Sequence, residues 1–268
     1  MIKHIFSDMD GTLLNNQGIV SNENIRVIKN SHIPFTLVSA RAPMEMFDTI
    51  DKLNLTSTQI AFNGGLIYKR HEDSIIKISV HSLDINNVKN IVNKIRLTLP
   101  NVSMSLYTAD NWYTDKIDAG IKLETSITGL HAQVVNYQQF LNTNKDDIFK
   151  IMFIGSDKTQ IDELITTLDK LNLSGVSIQQ SGNNYLEITS DQAKKSRGIQ
   201  YIQEINSLDK SEMAAFGDGH NDIPMLKMVD TAVIMANAMD EVKKYATHMT
   251  KSNVDDGVAY GIQNFIEV

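Results

Sequence analysis

Two carboxylates separated by one residue, Asp8 and Asp10, stand just ahead of Gly11 and Thr12. With an ordinary pKa of about 3.9, Asp8 is ionised at neutral pH and can attack an electrophilic phosphorus. Asp10, two residues on, projects to the same side of extended backbone. There it can protonate a leaving oxygen and later activate a water. Gly11 permits a tight turn, and Thr12 brings a hydroxyl and backbone N–H groups to phosphate oxygens. Far along the chain, Gly217-Asp218-Gly219-His220-Asn221-Asp222 adds two more carboxylates. Carboxylates gathered at one place repel unless a cation joins them, and an all-oxygen donor set suits Mg²⁺ better than zinc.

Positioning these groups requires strands that end at them. Lys3 to Ser7 is a short apolar run stopping at Asp8, and Phe35 to Val38 stops at Ser39-Ala40-Arg41. Ile60 to Phe62 runs into Asn63-Gly64-Gly65, and Met213 to Phe216 runs into Gly217-Asp218. Between them lie helical spacings: Ile25 and Ile28 after a capping Ser21, Met44 to Leu53, and Ile199 to Ile205. A last strand is read at Thr231 to Met235. Alternating strands and helices predict a parallel sheet with helices on both faces, whose functional loops lie beyond the carboxyl ends of the strands. The middle of the chain differs. A helix over Leu83 to Leu99 and strands near 75–80, 102–107, 112–114, 132–135, 148–154, 176–179 and 185–189 suggest a separate α+β unit. The expected class is α/β, a Rossmann-like parallel-sheet core with an inserted α+β cap. The domains are read as core 1–80, cap 81–188 and core 189–268.

On these residues the chain resembles the haloacid dehalogenase superfamily, in its Cof-like phosphatase branch. Asp8-Met9-Asp10-Gly11-Thr12-Leu13 is similar to the first motif, Ser39-Ala40-Arg41 to the second with its hydroxyl kept, and Gly217 to Asp222 to the fourth. Asn237-Ala238 and Asp256-Gly257-Val258 resemble later segments, and Asn63-Gly64 a substrate-side loop. The resemblance implies Asp8 as nucleophile and Asp10 as acid/base. It implies magnesium held by Asp8, the Asp10 carbonyl and Asp218, with Asp222 as ligand or support. Thr12, Ser39, Ala40, Asn63 and Asn221 are read as phosphate or substrate contacts. The third motif is a lysine three residues before a helix glycine, which selects Lys195 ahead of Gly198. The neighbouring Lys194 would point about 100° away around a helix.

The implied activity is Mg²⁺-dependent hydrolysis of a small phosphomonoester, such as a sugar phosphate or phosphorylated cofactor, through an aspartyl phosphate. Phosphomutase and non-catalytic phosphometabolite binding are the competing readings. Taken singly, each motif has a plainer account: Asp and Gly favour turns, and Ser39 could cap a strand end. Their order along the chain is what selects the chemistry. His220 is read as a surface residue, Met213, Met225, Met228, Met235 and Met239 as gap-filling core, and Lys69-Arg70-His71 as a solvated turn. Trp112 and Tyr113 are read as cap packing.

Composition narrows the partners. Of 268 residues, 25 are Lys or Arg and 32 Asp or Glu, a formal net charge of −7. That balance argues against nucleic acid or an anionic membrane as partner. There is no cysteine, so disulfides, thiolate metal sites and a cysteine nucleophile are excluded, and with no signal-like segment a cytoplasmic setting is expected. The expected partner is a small phosphorylated metabolite.

Overall fold

The computed structural model describes residues 1–72 and 74–266. Its chain forms two compact units, one of Met1–Arg41, Met46–Ser79 and Lys194–Val268, the other of Ala42–Glu45 and Val80–Ala193.

The first unit begins with β1 (His4–Ser7), α1 (Asn22–Ser31), β2 (Phe35–Leu37), α2 (Pro43–Leu53), β3 (Gln59–Ala61), β4 (Leu66–His71) and β5 (Ser74–Val80). α1 starts where Ser21 accepts from the Asn24 N–H at 3.1 Å, a cap that contributes about 1 kcal/mol. Lys69-Arg70-His71 is the end of β4 rather than a turn. Arg70 stays ordered there because its guanidinium pairs with Asp51 at 2.5 Å and lies 4.3 Å above the Phe47 ring.

The second unit contains α3 (Ile85–Thr98), β6 (Ser103–Tyr107), β7 (Trp112–Thr114), α4 (Ala119–Thr128), β8 (Gln133–Val134), α5 (Tyr137–Thr143), β9 (Lys150–Ile154), α6 (Lys158–Asp169), β10 (Val176–Ser181) and β11 (Tyr185–Ser190). The strands form a mainly antiparallel sheet in the order β10-β11-β9-β6-β7-β8. Period-two alternation places Met104, Leu106, Ile151, Phe153, Leu186 and Ile188 on one face. There they pack with Val88, Ile91 and Ile95 of α3, Leu141 of α5 and Leu164 of α6 into one core. Trp112 and Tyr113 are both buried. The unit runs on to Ala193 because β11 and the turn after it stay with its sheet.

The chain then returns through α7 (Lys195–Asn206), β12 (Met213–Gly217), α8 (Ile223–Leu226), β13 (Thr231–Ile234), α9 (Asp240–Lys243), β14 (His248–Met249) and α10 (Gly257–Gly261). The core sheet has the order β14-β13-β12-β1-β2, parallel throughout, and a parallel bridge from Val38 to Ile60 carries it on to β3. Phe6, Ala215, Ala232 and Ile234 face α7 and α8 across a cluster with Ile199, Ile202 and Met225. α10 covers the other face, where Gly261 lies against Phe216 and Val233. His4, in β1, hydrogen-bonds through Nε2 to the Thr36 hydroxyl at 3.0 Å. That hydroxyl donates to the Thr58 carbonyl at 2.9 Å, so His4 Nε2 must carry the proton. Met213, Met225 and Met235 are buried, but Met239 is 59% exposed. It precedes the short helix α9 rather than lying in a strand, which is why it does not reach the core.

Candidate active site

β1 and β12 are neighbours in the sheet, with Ser7 opposite Phe216, so the loops that follow them are neighbours too. Asp8, the first residue past β1, anchors its own N–H on the Phe216 carbonyl at 3.0 Å. Gly11 then turns with φ +79°, and a Cβ there would fall on the Asp218 carboxylate. Position 11 therefore needs glycine both for its backbone and for the approach of Asp218. Asn237 holds this loop from the far side, donating to the Gly11 carbonyl at 2.7 Å and accepting from the Asn253 N–H at 2.9 Å.

Lys195 is the hub of the site. α7 can approach β3 closely because Gly198 lies where any Cβ would strike Ile60. One turn earlier, the Lys195 side chain is fully enclosed, bonded to Asp8 and to Asp222 Oδ1, the latter at 2.7 Å. Lys194 is exposed. Burial works against the Lys195 ammonium, yet Asp222 and Asp8 together outweigh it and push its pKa up. Burial raises Asp8 well above the usual carboxylate range, and Asp222 adds to the rise while Lys195 opposes it. Asp218 is pushed up to about 6, mainly by burial, although the Thr12 hydroxyl donating to its Oδ1 at 2.7 Å pulls the other way. Asp222 has no exposure. Its Oδ2 accepts from the N–H groups of Asp218 and Gly219, each at 2.9 Å, and its Oδ1 accepts from Lys195. Both Asp222 oxygens thus hold the Gly217–Gly219 turn and the lysine in place.

Three carboxylates against one ammonium leave two negative charges uncompensated. One oxygen each from Asp8, Asp218 and Asp222 lie within 4.8 Å of one another. An all-oxygen cluster with that deficit fits a hard divalent cation.

The remaining candidates fall around this hub in two ways. Ser39 is buried at the end of β2, and its Oγ accepts from the Arg41 N–H at 3.1 Å. Ala40 lies between them, half-buried. Asn63 sits in the left-handed region at φ 55° and accepts from the Asn221 amide at 3.2 Å, so the loops after β3 and β12 meet. Asp10 differs from the other carboxylates. Its side chain is 58% exposed and gripped by Arg41 through two bonds, 2.8 Å to Oδ2 and 2.7 Å to Oδ1. This fork-to-fork clamp gives Arg41 a place that its position after Ser39 hinted at without defining. Asn237 is the other residue whose role the sequence left open. His220 is exposed and faces Glu241 at 2.8 Å.

Comparison with known proteins agrees with this geometry. A profile described as haloacid dehalogenase-like hydrolase matches residues 5–262. A Bacillus subtilis 5-amino-6-(5-phospho-D-ribitylamino)uracil phosphatase is 28% identical over 289 residues, covering 99% of this chain and 98% of the relative. A Thermotoga maritima crystal structure superposes with a TM-score of 0.88 at 25% identity, covering 100% of this chain and 99% of the other. A haloacid dehalogenase-like hydrolase from Bacteroides thetaiotaomicron gives a TM-score of 0.89 at 23% identity, covering 99% and 100%. That last similarity carries the fold.

Proposed function

Because the chain belongs to the haloacid dehalogenase-like hydrolase family, we propose that it is a Mg²⁺-dependent phosphatase of small phosphomonoesters, with Asp8 as nucleophile. The observation that carries this reading is Lys195, enclosed between Asp8 and Asp222 at the ends of two adjacent parallel strands. A buried ammonium held against a carboxylate serves two ends here. It orients Asp8 and offers positive charge to an arriving phosphoryl group.

In the first half-reaction an Asp8 oxygen bonds to phosphorus as the ester P–O bond breaks, and Asp10 gives a proton to the departing alcohol. In the second, Asp10 takes a proton from water as that water's oxygen attacks phosphorus, releasing inorganic phosphate and free Asp8. Asp10 must leave the Arg41 clamp to reach the leaving oxygen, so exchange between these two positions is part of the cycle. Ser39, with Ala40 beside it, Thr12, Asn63 and Asn221 are the neighbouring groups for phosphate and substrate contacts. Mg²⁺ would be held by Asp8, Asp218 and the Asp10 carbonyl, with Asp222 in support, and would supply charge neutralisation at the phosphate oxygens. Among the described residues no helix is long and apolar enough to cross a membrane.

The test is phosphate release from a broad panel of phosphorylated metabolites, with Mg²⁺ and with EDTA. Release that requires Mg²⁺ and disappears in Asp8→Asn is expected. Isomerised sugar phosphate without free phosphate would favour a mutase, and silence across the panel a binding protein.

A further inference from the structure

The loops bearing Asp8, Ser39 and Asp218 follow the strands of the core sheet. A cavity opens at the opposite end, where those strands begin. Its volume is about 330 Å³, at the small end of the roughly 300–1,000 Å³ of ligand sites. It is lined by His4, the first residue of β1, by Pro34 ahead of β2, and by Thr58 ahead of β3. Ile202 and Ile205 reach it from the last turns of α7. β3 and β4 are antiparallel with Gln59 opposite Tyr68, and the same register brings Lys69 opposite Thr58. All of these residues belong to the first unit.

Two polar groups meet this cavity without a partner in the chain. His4 is 5% exposed, its Nε2–H donates to Thr36, and its ring stacks on Phe6 with centres 4.6 Å apart. The ring is therefore fixed, and with the proton on Nε2 its Nδ1 is a bare acceptor. No described residue donates to that nitrogen. Burial lowers the ring's pKa to about 4, so it is neutral at pH 7. Thr58 is also 5% exposed; its carbonyl accepts from Thr36, but its hydroxyl has no partner among the described residues. Both atoms open on the cavity, whereas the unmatched Ser105 hydroxyl and Trp112 indole N–H of the second unit are sealed. Polar atoms so placed are matched by water or by a ligand. One water takes about 30 Å³, a tenth of this space, and the walls of Ile202, Ile205 and Leu208 offer water no bond. Ile205 is 54% exposed. At the rim Lys3 is committed to Glu212 at 2.5 Å. Lys69 is exposed and has no ion pair among the described residues.

We propose that this cavity is a second ligand site, and that it takes a small amphipathic carboxylate carrying an N–H or O–H donor. The donor bonds His4 Nδ1, the Thr58 hydroxyl bonds a neighbouring polar atom, and the apolar body lies on Ile202, Ile205 and Leu208. The carboxylate faces Lys69, because a neutral imidazole cannot hold an anion. One uncompensated ammonium matches a single negative charge, whereas a phosphate would bring about −1.5 to −2. Lying at the strand starts, the site is distinct from the loops bearing Asp8 and Asp218 and does not depend on the phosphatase reading.

The probe is indole-3-acetate, which joins an apolar bicycle to one N–H and one carboxylate. Titration followed by NMR through the His4 Cε1–H and Ile202 methyl signals should saturate with a Kd of about 1 mM or tighter. The 1-methyl analogue, which has no ring donor, should bind about tenfold more weakly. Indole-3-acetamide, which has no charge, should bind about threefold more weakly. His4→Phe should erase the first difference and Lys69→Gln the second, both read from the Ile202 methyl. Lys69 is exposed, so Lys69→Gln and the wild-type comparison decide the matter even if His4→Phe does not fold. The proposal is overturned by no saturation up to about 10 mM, or by equal binding of the 1-methyl analogue to the wild type. It is also overturned if either difference survives in its folded variant.

Discussion

The two units differ in how completely they satisfy their buried polar groups. At the ends of β1 and β12 the polar side chains are bonded to one another: Lys195 to Asp8 and Asp222, Thr12 to Asp218, and Asp222 to two backbone N–H groups. On the polar face of the cap sheet the Trp112 indole N–H and the Ser105 hydroxyl are also buried, with no hydrogen-bond partner among the described residues. Side chains bonded to one another in this way are fixed in advance, which is the condition under which a preorganised site lowers a barrier.

The contrast is broken most severely by removing the hub. Lys195→Met leaves Asp8 and Asp222 buried together without their ammonium, and chemical denaturation should show a loss of about 3–5 kcal/mol. A loss under about 1 kcal/mol would mean that the carboxylates are not held by the lysine.

The next effect lies in the same unit and is read by pH. Burial lowers His4 to about 4, whereas an unfolded histidine titrates near 6.5. Between those values the unfolded chain takes up a proton that the native state refuses. The contribution is therefore complete above about pH 6.5 and is lost as pH falls toward 4, by about 3 kcal/mol in all. Comparing wild type with His4→Gln at pH 7 and pH 4.5 isolates it, since other groups titrate in both proteins. Parallel pH dependence in the two would refute the assignment.

The smallest effect should fall in the cap. Ser105→Ala deletes a buried hydroxyl that has no hydrogen-bond partner among the described residues, so stability should be unchanged or rise by up to about 1 kcal/mol. A clear loss would show that Ser105 is already satisfied and would dissolve the contrast.

The first of these regions was far more legible in the sequence than the second. The strand-end loops announce themselves because short apolar runs stop abruptly at Asp8, Ser39, Asn63 and Asp218, and such stops are local. Lys195 could be preferred over Lys194 only through the family resemblance, which implies a lysine three residues before a helix glycine, here Gly198. Arg41 gripping Asp10 was not legible, because it depends on how the loops after β1 and β2 are placed side by side. The same holds for Asn237 on the Gly11 carbonyl. In the cap, Ser103-Met104-Ser105-Leu106-Tyr107 read only as a buried strand, although its alternation already separated a polar from an apolar face. That Lys150, Glu187 and Tyr107 meet there follows from strand register across distant segments. Helix α4 was missed because few of its residues are both apolar and buried, leaving little periodicity to read.

The central claim is that Asp8 accepts the phosphoryl group, and rapid-quench turnover with ³²P-labelled substrate tests it most directly. Wild-type protein with Mg²⁺ should carry a transient, hydroxylamine-sensitive phosphate that maps to Asp8, and Asp8→Asn should carry none and turn over more than about 100-fold more slowly while remaining folded. Label on another residue, or near-normal turnover in Asp8→Asn, would contradict the account.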